Sequence, residues 1–72
     1  MRMMPLTLAN IGEENTVKKV GGSAEVRKFL ESLGFVAGGE VTIVSKMGGN
    51  VIVKVKESKV AVNSDMAAKI MV

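Results

Sequence analysis

The stretch Glu40-Val41-Thr42-Ile43-Val44-Ser45-Lys46-Met47-Gly48-Gly49-Asn50-Val51-Ile52-Val53-Lys54-Val55-Lys56-Glu57 decides the fold. Branched aliphatic residues recur at every second position on either side of Gly48-Gly49-Asn50, the pattern of two half-buried strands joined by a tight turn. The register follows from polarity. A two-residue loop sets Met47 opposite Asn50 and Ile43 opposite Lys54, which mixes apolar and charged faces. A three-residue loop sets Met47 opposite Val51, Ser45 opposite Val53 and Ile43 opposite Val55. A slip of one residue turns every side chain to the other face, so the pattern predicts a three-residue loop with a left-handed residue among Gly48 to Asn50. Val41, Ile43, Ser45 and Met47 then share one face, opposite Val51, Val53 and Val55, with Val41, Ile43, Val53 and Val55 as structural residues, and Val44, Lys46, Ile52, Lys54 and Lys56 face outward.

Working toward the N-terminus, Gly38-Gly39 marks the entry to this hairpin. Before it, Val26, Phe29, Leu30 and Leu33 recur at i, i+3, i+4 and i+7, an apolar helical face three turns long. Ser23 is placed to cap the first turn, Glu25 suits the positive end of the helix dipole, and Gly34 stands where a helix ends in a left-handed residue. Asn15 to Val20 reads as a strand stopped by Gly21-Gly22. Leu6, Leu8 and Ile11 are expected to tuck the lead-in against the body, and residues 1–4 are expected to be disordered.

Toward the C-terminus, Glu57-Ser58 reads as a turn and Lys59 to Asn63 as a strand. Asn63 or Ser64 caps a short helical turn through Ala67-Ala68, and Lys69 to Val72 forms a closing strand. As a sheet edge, that last strand could pair with a second copy, so the chain is expected to be a monomer or weak homodimer. Five short strands and one helix predict a mainly β (α+β) fold: a small, partly open five-stranded SH3-like barrel, with the helix inserted after strand one. Residues 1–72 form one domain, because so short a chain has room for a single core.

Composition narrows the chemistry. The chain has no His and no Cys, so zinc sites, haem ligation, cysteine nucleophiles and Ser-His-Asp triads lack their usual groups. No glycine run matches a phosphate-binding loop, and the glycine pairs read as turns. The carboxylates are scattered, and the six Met residues are spaced as packing residues. No enzymatic activity, cofactor or metal site is predicted. A net charge of +3 and a pI near 9.5 admit a nucleic-acid-binding SH3-like module as an alternative, but Trp and Tyr are absent and only two Phe are available for stacking. No apolar run approaches the ~18 residues of a membrane span, and the stretch Met1 to Leu6, with one charge and no apolar run, does not read as a secretory signal. The chain is therefore expected to be cytoplasmic.

The stretch Val26-Arg27-Lys28-Phe29-Leu30-Glu31-Ser32-Leu33-Gly34-Phe35, followed by Gly38 and Val41, resembles the ferrous iron transport protein A (FeoA) family. Leu8 to Glu13 is similar to that family's opening. Val60-Ala61-Val62 and Ala67-Ala68-Lys69-Ile70-Met71-Val72 are similar to its close. Two departures stand out: Ala37 occupies a position where the family often has Pro, and Gly48-Gly49-Asn50 replaces a longer, proline-containing hairpin loop.

The resemblance implies an SH3-like barrel acting as a small cytoplasmic accessory of a ferrous iron transport system. The implied partner is the large membrane transporter, through its cytoplasmic G domain, with the membrane reached only via that partner. Fe2+ enters only indirectly, as the system's cargo. A transition-metal-binding sensor domain like that of iron-dependent repressors is the other family-level alternative. Arg27, Phe35, Val44, Ile52 and Lys54 are the candidate partner-binding residues. Val26, Phe29, Leu30, Leu33, Gly34, Gly38, Val41, Ile43, Val53 and Val55 are the candidate structural ones.

Overall fold

A computed structural model describes residues 3–72. The strand predicted over 15–20 is a bent segment shared by two sheets, β1 (Glu14–Thr16) and β2 (Lys19–Val20). At the bend, Val17 exchanges backbone hydrogen bonds with Gly38 and Gly39, and the Lys18 N–H donates to the Met71 carbonyl. One chain segment thus hands over from the first sheet to the second, as closing a small barrel requires. Helix α1 (Ala24–Ser32) follows, then the hairpin strands β3 (Glu40–Met47) and β4 (Asn50–Val55), β5 (Ser58–Asn63), the short helix α2 (Ser64–Ala67) and β6 (Ile70–Met71). The first sheet has the order β1-β3-β4-β5 and is antiparallel throughout; β2 and β6 make the second.

Leu6, Val17, Leu30, Phe35, Val41, Ile43, Val53, Val55 and Ile70 are fully buried between the sheets and α1. No buried polar side chain lacks a partner among the described residues. This aliphatic core is what a chain without disulfides and close to the minimum size must rely on.

The hairpin register differs from the predicted one. Met47 pairs with Asn50 across a two-residue Gly48-Gly49 turn, with Gly48 at φ +57°. The face mixing this should cause is removed by a β-bulge at Val44: Ser45 pairs with Ile52, and Ile43 pairs with Val53. One extra residue in β3 resets the alternation. Val41 and Ile43 therefore stay in the core, while Lys46, opposite the buried Val51, starts from the inner side of the sheet although its side chain is exposed. Its Nζ donates to the carbonyls of Thr7 at 3.1 Å and Ala9 at 3.3 Å. Met47, on the outer side, is exposed.

Helix α1 begins and ends as its sequence predicts. The Ser23 hydroxyl accepts from the Val26 N–H at 3.2 Å. At the other end Gly34 takes φ +110° and donates to Glu31, while the Phe35 N–H reaches back to the Leu30 carbonyl. This paired closure normally brings together the residue after the glycine and one in the last turn, here Phe35 and Leu30. Both are fully buried. Phe29 departs from expectation. At about 100° per residue, Val26, Leu30 and Leu33 span an arc of about 60°, and Phe29 lies about 40° beyond its edge. It is 47% exposed.

The second turn falls at Lys56-Glu57, one residue earlier than predicted, with Lys56 at φ +56°. Asn63, not Ser64, caps α2 by accepting from the Met66 N–H at 2.8 Å; the Ser64 hydroxyl donates to the Gly49 carbonyl. Leu6 is buried as expected, but Leu8 and Ile11 are exposed. Of the lead-in predicted to be disordered, Met4 exchanges two backbone hydrogen bonds with Val72. Residues 1 and 2 lie outside the described residues. Pro5 also bridges to Met71, opposite the side that β2 occupies. The closing strand is therefore paired on both sides and is not an open edge.

Candidate functional site

The outward face of the first sheet carries three of the five candidate partner-binding residues. Antiparallel pairing places Glu14, Thr42, Lys54 and Lys59 in one cross-strand row, and Ser45, Ile52 and Ala61 in the next. Val44, unpaired in the bulge, is 38% exposed beside them; Ile52 is half-buried and Lys54 exposed. The core makes no use of these side chains. Arg27 is exposed on α1, on a different element. Phe35 is excluded from any docking surface: it is fully buried, because the glycine closure of α1 turns it inward. Lys46, read as part of an outward basic face, is engaged with the lead-in instead, so the lysines do not form a single patch.

The pairing also assembles groups that are remote in sequence. A shallow depression of about 430 Å³ is flanked by Glu14, Glu40, Lys54, Lys56 and Glu57, with Gly34, Gly38 and Gly39 among its walls. Thr16 pairs with Glu40 and Glu14 with Thr42, so Glu14 and Glu40 are diagonal neighbours. A hydrogen bond that protonated Glu40 donates to the Glu14 carboxylate, together with the charge of Glu14, holds the Glu40 carboxyl above the ordinary value of 4.5. Both residues stand at alternate positions of strands that pair, but nothing in the sequence shows which strands those are. Two carboxylates can share a proton here. Among the described residues, no group of three or more His, Cys, Asp or Glu comes together to hold a metal ion.

A second surface was not foreseen. Val26 and Phe29 of α1 and Met66 of α2 line an apolar groove edged by Glu25. The slight offset of Phe29 from the helix's buried stripe was the available signal. Meeting Met66 depends on how the two helices pack.

Comparisons with known proteins agree with this architecture. The FeoA domain family model matches residues 4–72. A relative from Methanocaldococcus jannaschii, named "Putative Fe(2+) transport protein A", is 36% identical over 70 residues, covering 97% of this chain and 85% of the relative. The crystal structure of an iron uptake regulatory protein, FeoA, superposes with a TM-score of 0.88. That match covers 99% of this chain and 95% of the other at 24% identity, and establishes a shared fold.

Proposed function

Because this chain belongs to the FeoA domain family, we propose that it is a small, non-enzymatic accessory of a ferrous iron transport system, acting by contact with the membrane transporter's cytoplasmic G domain. The carrying observation is the outward sheet face at Val44, Ile52 and Lys54: two branched aliphatic side chains and a cation, held on a rigid hairpin and unused by the core. Solvent-facing aliphatic side chains beside charge are what a protein contact covers. Iron is the system's cargo in this proposal, and the chain supplies a preformed surface. No helix among the described residues is long and apolar enough to cross a membrane, which suits a subunit reaching the bilayer through its partner on the cytoplasmic side.

A pull-down with the isolated G domain tests the proposal. The expected result is co-purification that weakens with Ile52→Asp and with Lys54→Glu, while far-ultraviolet circular dichroism and thermal midpoint show both variants folded. Absence of binding at high micromolar concentration overturns it.

A further inference from the structure

The outer edge of β5 is open. Among the described residues β5 pairs only with β4, and its polarity of bonding can be read from its end. The Ser64 N–H donates to the Gly49 carbonyl at 2.8 Å, which makes that pair a hydrogen-bonded one. Alternation along the ladder makes Val62–Val51, Val60–Val53 and Ser58–Val55 hydrogen-bonded pairs as well. The N–H and C=O groups of Lys59 and Ala61 therefore point away from β4. Among the described residues, no backbone hydrogen bond from another segment reaches them. Val60, on the inner side of this edge, is only half-buried.

The side-chain row ending at this edge is electrostatically incomplete. Lys54 and Lys59 stand directly opposite each other in a pair that is not hydrogen-bonded, the kind with the closer side chains. Like charges so placed repel. The fold supplies Glu14 at the far end of the row, beyond Thr42, with Glu40 and Glu57 around the depression beside Lys54, and among the described residues no strand pairs beyond Lys59. A lysine on an edge also discourages pairing with another copy of the same basic strand. The vacant position is suited to a strand that brings a carboxylate.

We propose that β5 accepts an extended acidic segment of a partner protein as an added strand. Backbone groups of that segment continue the ladder at Lys59 and Ala61. A Glu or Asp opposite Lys59 completes the row, and apolar residues at the alternate positions cover Val60. Added strands of this kind draw affinity from main-chain bonds and specificity from alternate side chains. The inference rests on the proposal that the chain works by protein contact, and it places a contact on the sheet's edge as well as its face.

Nuclear magnetic resonance titration of the full chain with the peptide Glu-Val-Glu-Val-Glu-Val tests it. The amides of Lys59 and Ala61 are expected to shift and to exchange more slowly with solvent. Binding is expected to be roughly fivefold tighter than for the Lys-Val counterpart, the difference between an opposite-charge and a like-charge cross-strand neighbour. Lys59→Glu should reverse that preference. A peptide N-methylated at alternate residues keeps its charge but loses its ladder donors, and should not bind. No response at these amides at millimolar peptide, an equal response to the Lys-Val peptide, or undiminished binding of the N-methylated peptide each overturns the inference. Because the G-domain pull-down is read separately, failure here leaves the docking proposal standing.

Discussion

Replacing Lys46 with Ala separates the bulged register from the unbulged one. With the bulge at Val44, Lys46 points to the inner side and its ammonium ties the Thr7 and Ala9 carbonyls to β3. In the unbulged register Lys46 would be one more solvated lysine. The two bonds, at 3.1 and 3.3 Å, are longer than short charge-assisted bonds, and one of them is exposed. Hydrogen bonds to charged groups contribute about 1.5–3 kcal/mol when well sheltered; length and exposure reduce the pair to about 1–2 kcal/mol. For a domain of this size each kcal/mol moves the thermal midpoint by about 4–8 °C, so Lys46→Ala is expected to lower it by roughly 5–15 °C. Without Trp or Tyr the chain has little intrinsic fluorescence, so melting is best followed by far-ultraviolet circular dichroism. Amide exchange at Gly12, whose N–H donates to the Ile43 carbonyl, should quicken, since the loosened lead-in includes it. Lys54→Ala is the control. It should stay within about 0.5 kcal/mol of the parent, or gain slightly as the repulsion with Lys59 is relieved. Equal melting of the Lys46→Ala variant and the parent, or a larger loss for Lys54→Ala, refutes the reasoning.

Phe35→Ala removes a fully buried aromatic ring and should cost about 3–5 kcal/mol. That is a large share of the roughly 4–11 kcal/mol expected for a domain of this length, so urea denaturation should show a partly unfolded population even without denaturant. Lys56→Gly relieves a left-handed conformation at φ +56° and should leave stability unchanged or raise it by up to about 1 kcal/mol, read from the urea midpoint; Lys56→Val at the same position should lower it. Glu14→Gln should return the Glu40 carboxyl toward its ordinary range, seen by carbon-detected titration of its side chain. In the parent chain Glu40 is raised, so its folded form binds the proton more tightly than the unfolded form. Stability should therefore rise slightly as pH falls from above the raised value toward 4.5, and Glu14→Gln should abolish that rise.

The sequence by itself determined most of the local structure. Helix α1 was legible because its cap, apolar spacing and terminal glycine all act within about ten residues of one another, where geometry leaves few alternatives. The hairpin strands and the valine core were legible for the same reason: period two is a local property. The family resemblance, carried by the spacing of these same elements, was legible as well.

The tertiary structure decided what depends on how the elements meet. Polarity argued against a two-residue turn because it assumed an unbroken ladder; the bulge at Val44 restores the faces with one extra residue, and no residue type announces it. Lys46 thereby changes from a surface charge to a tether. Phe35 looked available beside a helix end, yet the closure at Gly34 points it into the core. The closing strand looked like an edge until Met4 and Pro5 paired with it, whereas the outer side of β5 has no strand partner among the described residues. The Glu14–Glu40 and Lys54–Lys59 neighbours arise from strand pairing alone. Propensity and periodicity act along the chain, whereas docking surfaces and charge pairs form across it, between residues that only the closed barrel brings together.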